Sequence, residues 1–211
     1  MKELETLIQS AETLVNPFIR EWKEQGKKVI GYYCPYLVEE IIYAAGALPY
    51  RVRATGSKTT SQGDIYLDAT YNCSLCRNFL DLALKGEYKF LDGFAGVNTC
   101  DHFRRTFDVW RRGHVPLPYS PYYLYMVSTP YISKDYAIEW LTGELRKFKD
   151  SLAEYIGIEI TNEALSDAIK ACNESRRLLK RLYELMKGEA PPISGAQAMA
   201  VVIAGTCMPK A

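Results

Sequence analysis

The chain has 211 residues, 48% of them apolar, which is enough to bury the core of one large domain, and nothing in the composition reads as disordered. Its 26 Lys and Arg against 25 Asp and Glu leave a net charge of +1, so no global field draws nucleic acid or an anionic membrane surface. No apolar run is long enough to span a bilayer, and the N-terminus reads as a charge-rich amphipathic helix rather than a signal peptide, which gives the expectation of a cytoplasmic chain with neither a nucleic-acid nor a membrane partner.

In chain order, Leu4, Leu7, Ile8, Ala11, Leu14, Val15, Phe18, Ile19 and Trp22 keep the three-four spacing of one N-terminal helix, with Pro17 as a kink and Gly26 as its stop. Val29–Tyr33 then reads as a strand, Cys34–Pro35 as a turn, and 36–45 as a helix with Pro35 in its first turn and Gly46 at its end. Leu48–Ala54 is the next strand, completing a β-α-β unit whose crossover should be right-handed. From Thr55 to Tyr71 the chain is rich in Gly, Ser, Thr and Asp and long for a connection, and loops of that length are commonly functional.

A helix over 73–85 turns Leu75, Phe79, Leu80, Leu82 and Ala83 inward and stops at Gly86. Phe90–Val97 is a short buried strand, followed by a helix from Cys100 with Phe103, Phe107 and Trp110 on one side, and Tyr122–Val127 is a further strand after a proline- and tyrosine-rich passage. This alternation predicts an α/β lobe with a parallel sheet over 28–130, behind the N-terminal helix of 1–27. Ser133 should cap a helix running to Gly157, with Tyr136, Trp140, Leu145, Phe148 and Leu152 among its apolar stripe; Thr161 should cap a second, with Leu165, Cys172, Leu178 and Leu185 inside. The two are expected to pack as a helical hairpin over 131–190, and 191–211 reads as the start of a second α/β lobe that the chain does not go on to complete. Gly93 and Gly96 lie in a strand, so neither a dinucleotide fingerprint nor a Walker loop is present.

Chemistry concentrates in the cysteines. Cys34, Cys73, Cys76, Cys100, Cys172 and Cys207 are too sparse for a secreted disulfide scaffold; in a reducing compartment they are thiols, metal ligands, redox groups or, by default, small buried hydrophobes. Cys73 and Cys100 each stand at a strand-to-helix turn on the ligand-binding edge expected of a parallel sheet, where helix N–H groups favour thiolate. They read either as part of a soft-metal site, an iron–sulfur cluster included, or as two ordinary helix-start cysteines. Cys34 stands at a third such turn. Cys73 and Cys76 form C-x-x-C, but zinc would need two more ligands, and the chain has neither a second C-x-x-C nor paired histidines beyond His102 and His114. A dithiol redox pair would lack the usual proline-containing tight turn between its thiols. Cys76, three residues into the helix, reads as packing.

Three ordered stretches carry a resemblance. Gly31–Val52 (GYYCPYLVEEIIYAAGALPYRV), Cys73-x-x-x-Arg77 with its helix and LDG, and Asn98-Thr99-Cys100-Asp101 with Arg104 and Phe-Asp-x-Trp resemble, in order and approximate spacing, the 2-hydroxyacyl-CoA dehydratase family, which includes benzoyl-CoA reductase subunits. Val38 stands where the family pattern has proline. The resemblance implies a Rossmann/flavodoxin-like lobe and a [4Fe–4S] cluster held by three cysteines, of which Cys73 and Cys100 match two; the third is expected in a C-terminal lobe outside this chain. It further implies a CoA-thioester substrate, a homologous partner subunit, and an ATP-dependent iron–sulfur activator protein that drives one-electron, ketyl-radical dehydration or, in the benzoyl-CoA branch, ring reduction. A non-catalytic truncated partner subunit is the other reading. Arg77 and Arg104, with Arg105, are candidates for substrate phosphates, and Glu39 and Glu40 are candidate acid–base groups that could equally be helix-start carboxylates.

Overall fold

The computed structural model describes residues 2–55, 57–115 and 122–210. Four short strands, β1 (Val29–Tyr32), β2 (Leu48–Arg51), β3 (Gly93–Val97) and β4 (Tyr123–Val127), form one all-parallel sheet in the order β2-β1-β3-β4. Between and around them run α1 (Lys2–Glu12), α2 (Pro17–Glu24), α3 (Glu39–Ala44), α4 (Ser74–Leu84), α5 (Asp101–Val109), α6 (Asp135–Ile156), α7 (Asn162–Leu185) and α8 (Gly195–Ala204). This is the α/β, Rossmann/flavodoxin-like lobe that the alternation of patterns predicts. No helix among the described residues is long and apolar enough to cross a membrane. The proline-rich passage 116–121 lies outside the described residues.

Alternating side chains send each strand into two cores. Val29, Leu48, Tyr50 and Phe94 join α2, α4 and α5 on one face. Ile30, Tyr32, Ala95, Val97, Tyr123 and Val127 meet α3 and the C-terminal half of α6 on the other. Asp92, just before β3, ties the lower edge together: it receives the Val29 N–H at 2.7 Å and the Lys23 ammonium of α2 at 2.8 Å. Because the chain passes from β1 outward to β2 and then returns to β3 on the other side, the strand order reverses between β1 and β3, and the crevice beyond their carboxyl ends is the place where open α/β sheets bind ligands.

Several expectations need correction. The N-terminal segment is two helices, not one kinked helix: Asn16 caps α2 by accepting the Ile19 N–H at 2.9 Å, and Pro17 takes the first helical position, where its missing N–H costs nothing. α3 begins at Glu39 rather than 36, since Cys34–Leu37 closes as a turn through the Leu37 N–H and the Cys34 carbonyl at 3.0 Å, leaving Pro35 outside the helix. The N-cap of α6 is Lys134, not Ser133, and it makes no side-chain cap. Thr161 does cap α7, accepting from the Ala164 N–H.

The two long helices share one apolar cluster through Phe148, Leu152 and Leu165. α6 lies on β4 and touches α3, whereas α7 lies mainly along α3. Accordingly the expected inward stripe is only partly inward: Phe148, Leu152 and Cys172 are buried, but Tyr136, Trp140, Leu178 and Leu185 are exposed. The segment beyond 191 forms α8, which opens on a capping box of Ser194 and Gln197 and packs against α1. The Thr206 carbonyl after it accepts the Arg51 N–H at 3.0 Å, covering the outer edge of β2.

Candidate functional site

Cys73 is the N-cap of α4 and Cys100 the N-cap of α5, as the sequence predicts, each with extended backbone just before its helix. The Cys100 sulfur accepts the Phe103 N–H at 3.4 Å, filling the place that an oxygen usually takes at a helix start. Phe103 is fixed in turn by β3: a Cβ on Gly96 would stand 2.6 Å from its ring, so only glycine lets the first turn of α5 press this closely onto the strand.

The residue that joins the two helix starts is Tyr33, immediately after β1. Its ring stacks on Phe103 (centroids 4.7 Å apart, planes 4° apart) and tilts against Phe79 of α4 at 5.0 Å. Its hydroxyl receives the Cys76 thiol at 3.8 Å. Burial above all, then the charge and hydrogen bond of Cys76 and the charges of Cys73 and Cys100, hold the phenol far above its usual range. Tyr33 thus touches the Cys76 sulfur directly and stacks on Phe103, whose N–H the Cys100 sulfur accepts, at the crevice where the strand order reverses. Cys76 is wholly buried; burial first, then a hydrogen bond to Cys73 and its charge, push its thiol up to about 12. Cys34 lies one residue past Tyr33, in the turn before α3, and no described interaction joins its sulfur to the other three.

Neighbours of these cysteines line two cavities. One, of about 1000 Å³, is polar and lies along α5 and the ends of β3 and β4, bordered by Asn72, Asn98, His102, Arg104, Arg105 and Arg111. Arg104 and Arg111 are paired with Asp101 and Asp108 of their own helix. The other, of about 690 Å³, is mainly apolar and lies between β2, α4 and α8, bordered by Tyr33, Arg51, Arg53, Leu75, Met199 and Ile203. Leu75, expected in the core, is 47% exposed at its rim.

The remaining predicted residues have other partners. Arg77 bonds Asp64 at 2.7 Å and Thr60 at 3.3 Å, pinning the 57–71 loop to α4, and Asp64 is held below its usual range by that hydrogen bond. Gly63 packs so tightly on α4 that a Cβ would fall 2.2 Å from the Arg77 carbonyl. Glu40 pairs with Arg176 at 2.6 Å, joining α3 to α7, and Glu39 receives the Tyr32 hydroxyl at 3.0 Å with Lys210 at 3.3 Å. Cys207 is buried, with donors from Arg53 at 2.9 Å and Asn16 at 3.3 Å. Tyr33 is the site residue that pattern reading misses, although strand alternation carries the signal: Tyr32 and Tyr33 point to opposite sides, and Tyr33 follows directly on β1 at the reversal point.

An iron–sulfur cluster needs soft thiolate donors, and Cys73 and Cys100, both part-exposed at helix N-termini, suit that chemistry. Among the described residues no group of three or more Cys, His, Asp or Glu side chains could hold a metal ion, so these two thiols do not by themselves make a complete ligand set.

The fold and site define a parallel α/β lobe with two helix-start thiols beside its strand-order reversal, and the comparisons with known proteins narrow the class. Residues 34–211 match the family model described as 2-hydroxyglutaryl-CoA dehydratase, D-component, and the chain belongs to that family. It is 30% identical over 194 residues to a benzoyl-CoA reductase subunit of Thauera aromatica, covering 90% of this chain and 49% of that protein. It is 29% identical over 207 residues to the beta subunit of (R)-2-hydroxyglutaryl-CoA dehydratase of Acidaminococcus fermentans, covering 96% of this chain and 51% of that protein. The beta subunit of lactoyl-CoA dehydratase of Anaerotignum propionicum is 26% identical over 162 residues, 77% of this chain and 41% of that protein. The chain thus spans about half the length of the curated relatives it matches.

Proposed function

We propose that this chain is a subunit of a CoA-thioester dehydratase-like enzyme and supplies Cys73 and Cys100 to an iron–sulfur cluster completed from outside the described residues. The observation that carries the proposal is that both thiols stand at helix starts whose helices are joined by the Tyr33 ring, through Phe79 and Phe103, at the crevice between β1 and β3. When bound, the cluster would supply single electrons to the thioester, the chemistry needed to expel an unactivated hydroxyl. The chain's own residues hold the reactants. Tyr33 and Phe103 wall the thiols from the sheet core, the apolar cavity beside Leu75 suits an acyl chain, and the arginine-bordered cavity along α5 suits phosphate groups. Arg105 is the arginine there without an acidic partner among the described residues, which makes it a better phosphate contact than Arg77 or Arg104. A homologous partner subunit and an ATP-hydrolysing activator protein complete the working enzyme in this reading.

The relative named as a benzoyl-CoA reductase subunit, at 30% identity, supports aryl-CoA reduction as the second reading, and a non-catalytic partner subunit is the third. Anaerobic reconstitution with iron and sulfide, with and without a full-length partner subunit, tests the proposal. The expected result is a brown protein with a broad sulfur-to-iron absorption, lost in Cys73→Ala and in Cys100→Ala but retained in Cys34→Ala. Iron-free protein in both preparations, or full absorption in both cysteine variants, would overturn it.

A further inference from the structure

The C-x-x-C has a geometry that its sequence conceals. Cys73 is the N-cap of α4, part-exposed, and Cys76 is one turn in, with no exposed surface. The Cys76 thiol meets the Tyr33 hydroxyl at 3.8 Å on its inner side. Residues three apart at a helix start lie on one face, at a separation that a disulfide can bridge with little backbone movement. Tyr33 and Phe79 cover the inner side at Cys76, while Cys73 keeps part of its surface open to a small disulfide. The absence of proline between the thiols does not matter here, because the helix start itself supplies the spacing. An accessible first thiol followed by a buried second one is the division of labour of a dithiol that exchanges with other disulfides.

We propose that Cys73 and Cys76 are a redox pair: Cys73 attacks a low-molecular-weight disulfide and Cys76 resolves the adduct to an internal disulfide. In the first step the Cys73 thiolate bonds one sulfur of RSSR and expels RS⁻. In the second, the Cys76 sulfur gives up its proton, bonds Cys73 and expels the second RS⁻. The dithiol is oxidised by two electrons, RSSR is reduced to two RSH, and the two protein protons end on the two leaving thiolates. The pairing stands without the iron–sulfur reading. Where that reading also holds, the disulfide removes Cys73 from ligand duty, so oxidation and metal binding compete for one sulfur.

The test is exchange with glutathione. The full chain, as purified and after treatment with a chelator, is equilibrated with reduced and oxidised glutathione at a series of ratios, quenched in acid, alkylated and mapped by peptide mass. The expected result is a single intramolecular Cys73–Cys76 link, with the loss of those two alkylatable thiols and no lasting adduct. Cys76→Ser should instead accumulate a glutathione adduct on Cys73, and Cys73→Ser should leave Cys76 unmodified. Both cysteines remaining alkylatable at every ratio, a link from either one to Cys100, or a persistent Cys73 adduct in the unaltered chain would each overturn the proposal. The unaltered chain decides the matter even if a variant fails to fold. The outcome is separable from the fate of the cluster proposal, because no iron is added.

Discussion

Single side chains carry several separate loads here. Gly96 is small because Phe103 lies where its Cβ would be, and Phe103 holds both Cys100 and Tyr33. Gly96→Ala should therefore destabilise the chain by about 1–3 kcal/mol through overpacking, and Phe103→Ala by about 3–5 kcal/mol through the cavity it leaves, both measurable by urea unfolding. Cys172 gives a pH signature at a site remote from the crevice. Burial first, then the carboxylates of Glu39 and Glu40, push its thiol from 9.0 up to about 11. The folded state thus keeps this proton more tightly than the unfolded state. Its contribution is fully present below pH 9.0 and is lost as pH rises through about 11, so melting temperature should fall less steeply over that window in Cys172→Ala than in the unaltered chain.

At the scale of elements, the helix ends and the connecting loop are fixed by polar contacts that no hydrophobic pattern announces. Asn16 caps α2 with its carbonyl and donates its amide to the Cys207 carbonyl at 3.0 Å, so it ties the start of α2 to the end of the described chain. Asn16→Ala should cost about 1–2 kcal/mol of unfolding free energy, at the upper end for a cap because the Cys207 carbonyl loses its donor as well. The 57–71 loop is long, yet Arg77, Gly63 and the Gln62 N–H to Asp81 bond at 2.7 Å hold it to α4. Asp64→Asn removes the charge that Arg77 grips; the expected result is faster proteolytic cleavage within 57–71 under native conditions, with little change in global stability because the pair is largely solvent-screened. Unchanged cleavage would show that the Gly63 packing alone holds the loop. The position of this loop over α4 was not legible in its sequence, since its Gly, Ser and Thr content marks irregular backbone but not what that backbone lies on.

For the whole molecule, two cores on opposite faces of one sheet are joined by a few charged ties. Asp92 links α2, β1 and β3, and breaking it should be severe: Asp92→Ala leaves the buried Val29 N–H and the Lys23 ammonium without their acceptor, at a cost of about 3 kcal/mol read by chemical unfolding. The four-strand alternation, the helix stops at Gly26, Gly46, Gly86 and Gly157, and the two cysteine N-caps were all legible in the sequence, because periodicity, left-handed glycines and cap positions are local properties of the backbone. Helix α6 shows where local reading fails: Tyr136 and Trp140 share a stripe with Phe148 and Leu152, but only the C-terminal half of that stripe meets the sheet. Periodicity states which side chains share a face; it does not state what the face meets. The same limit applies at the site. Sequence alone determined that Cys73 and Cys100 begin helices after strands, on one edge of a parallel sheet. Only the tertiary structure decided that Tyr33 joins the two helix starts through Phe79 and Phe103, that Cys76 is buried against the Tyr33 hydroxyl, and that Glu39, Glu40 and Arg77 are occupied in holding elements together, because those contacts join residues distant in the chain through the strand order β2-β1-β3-β4.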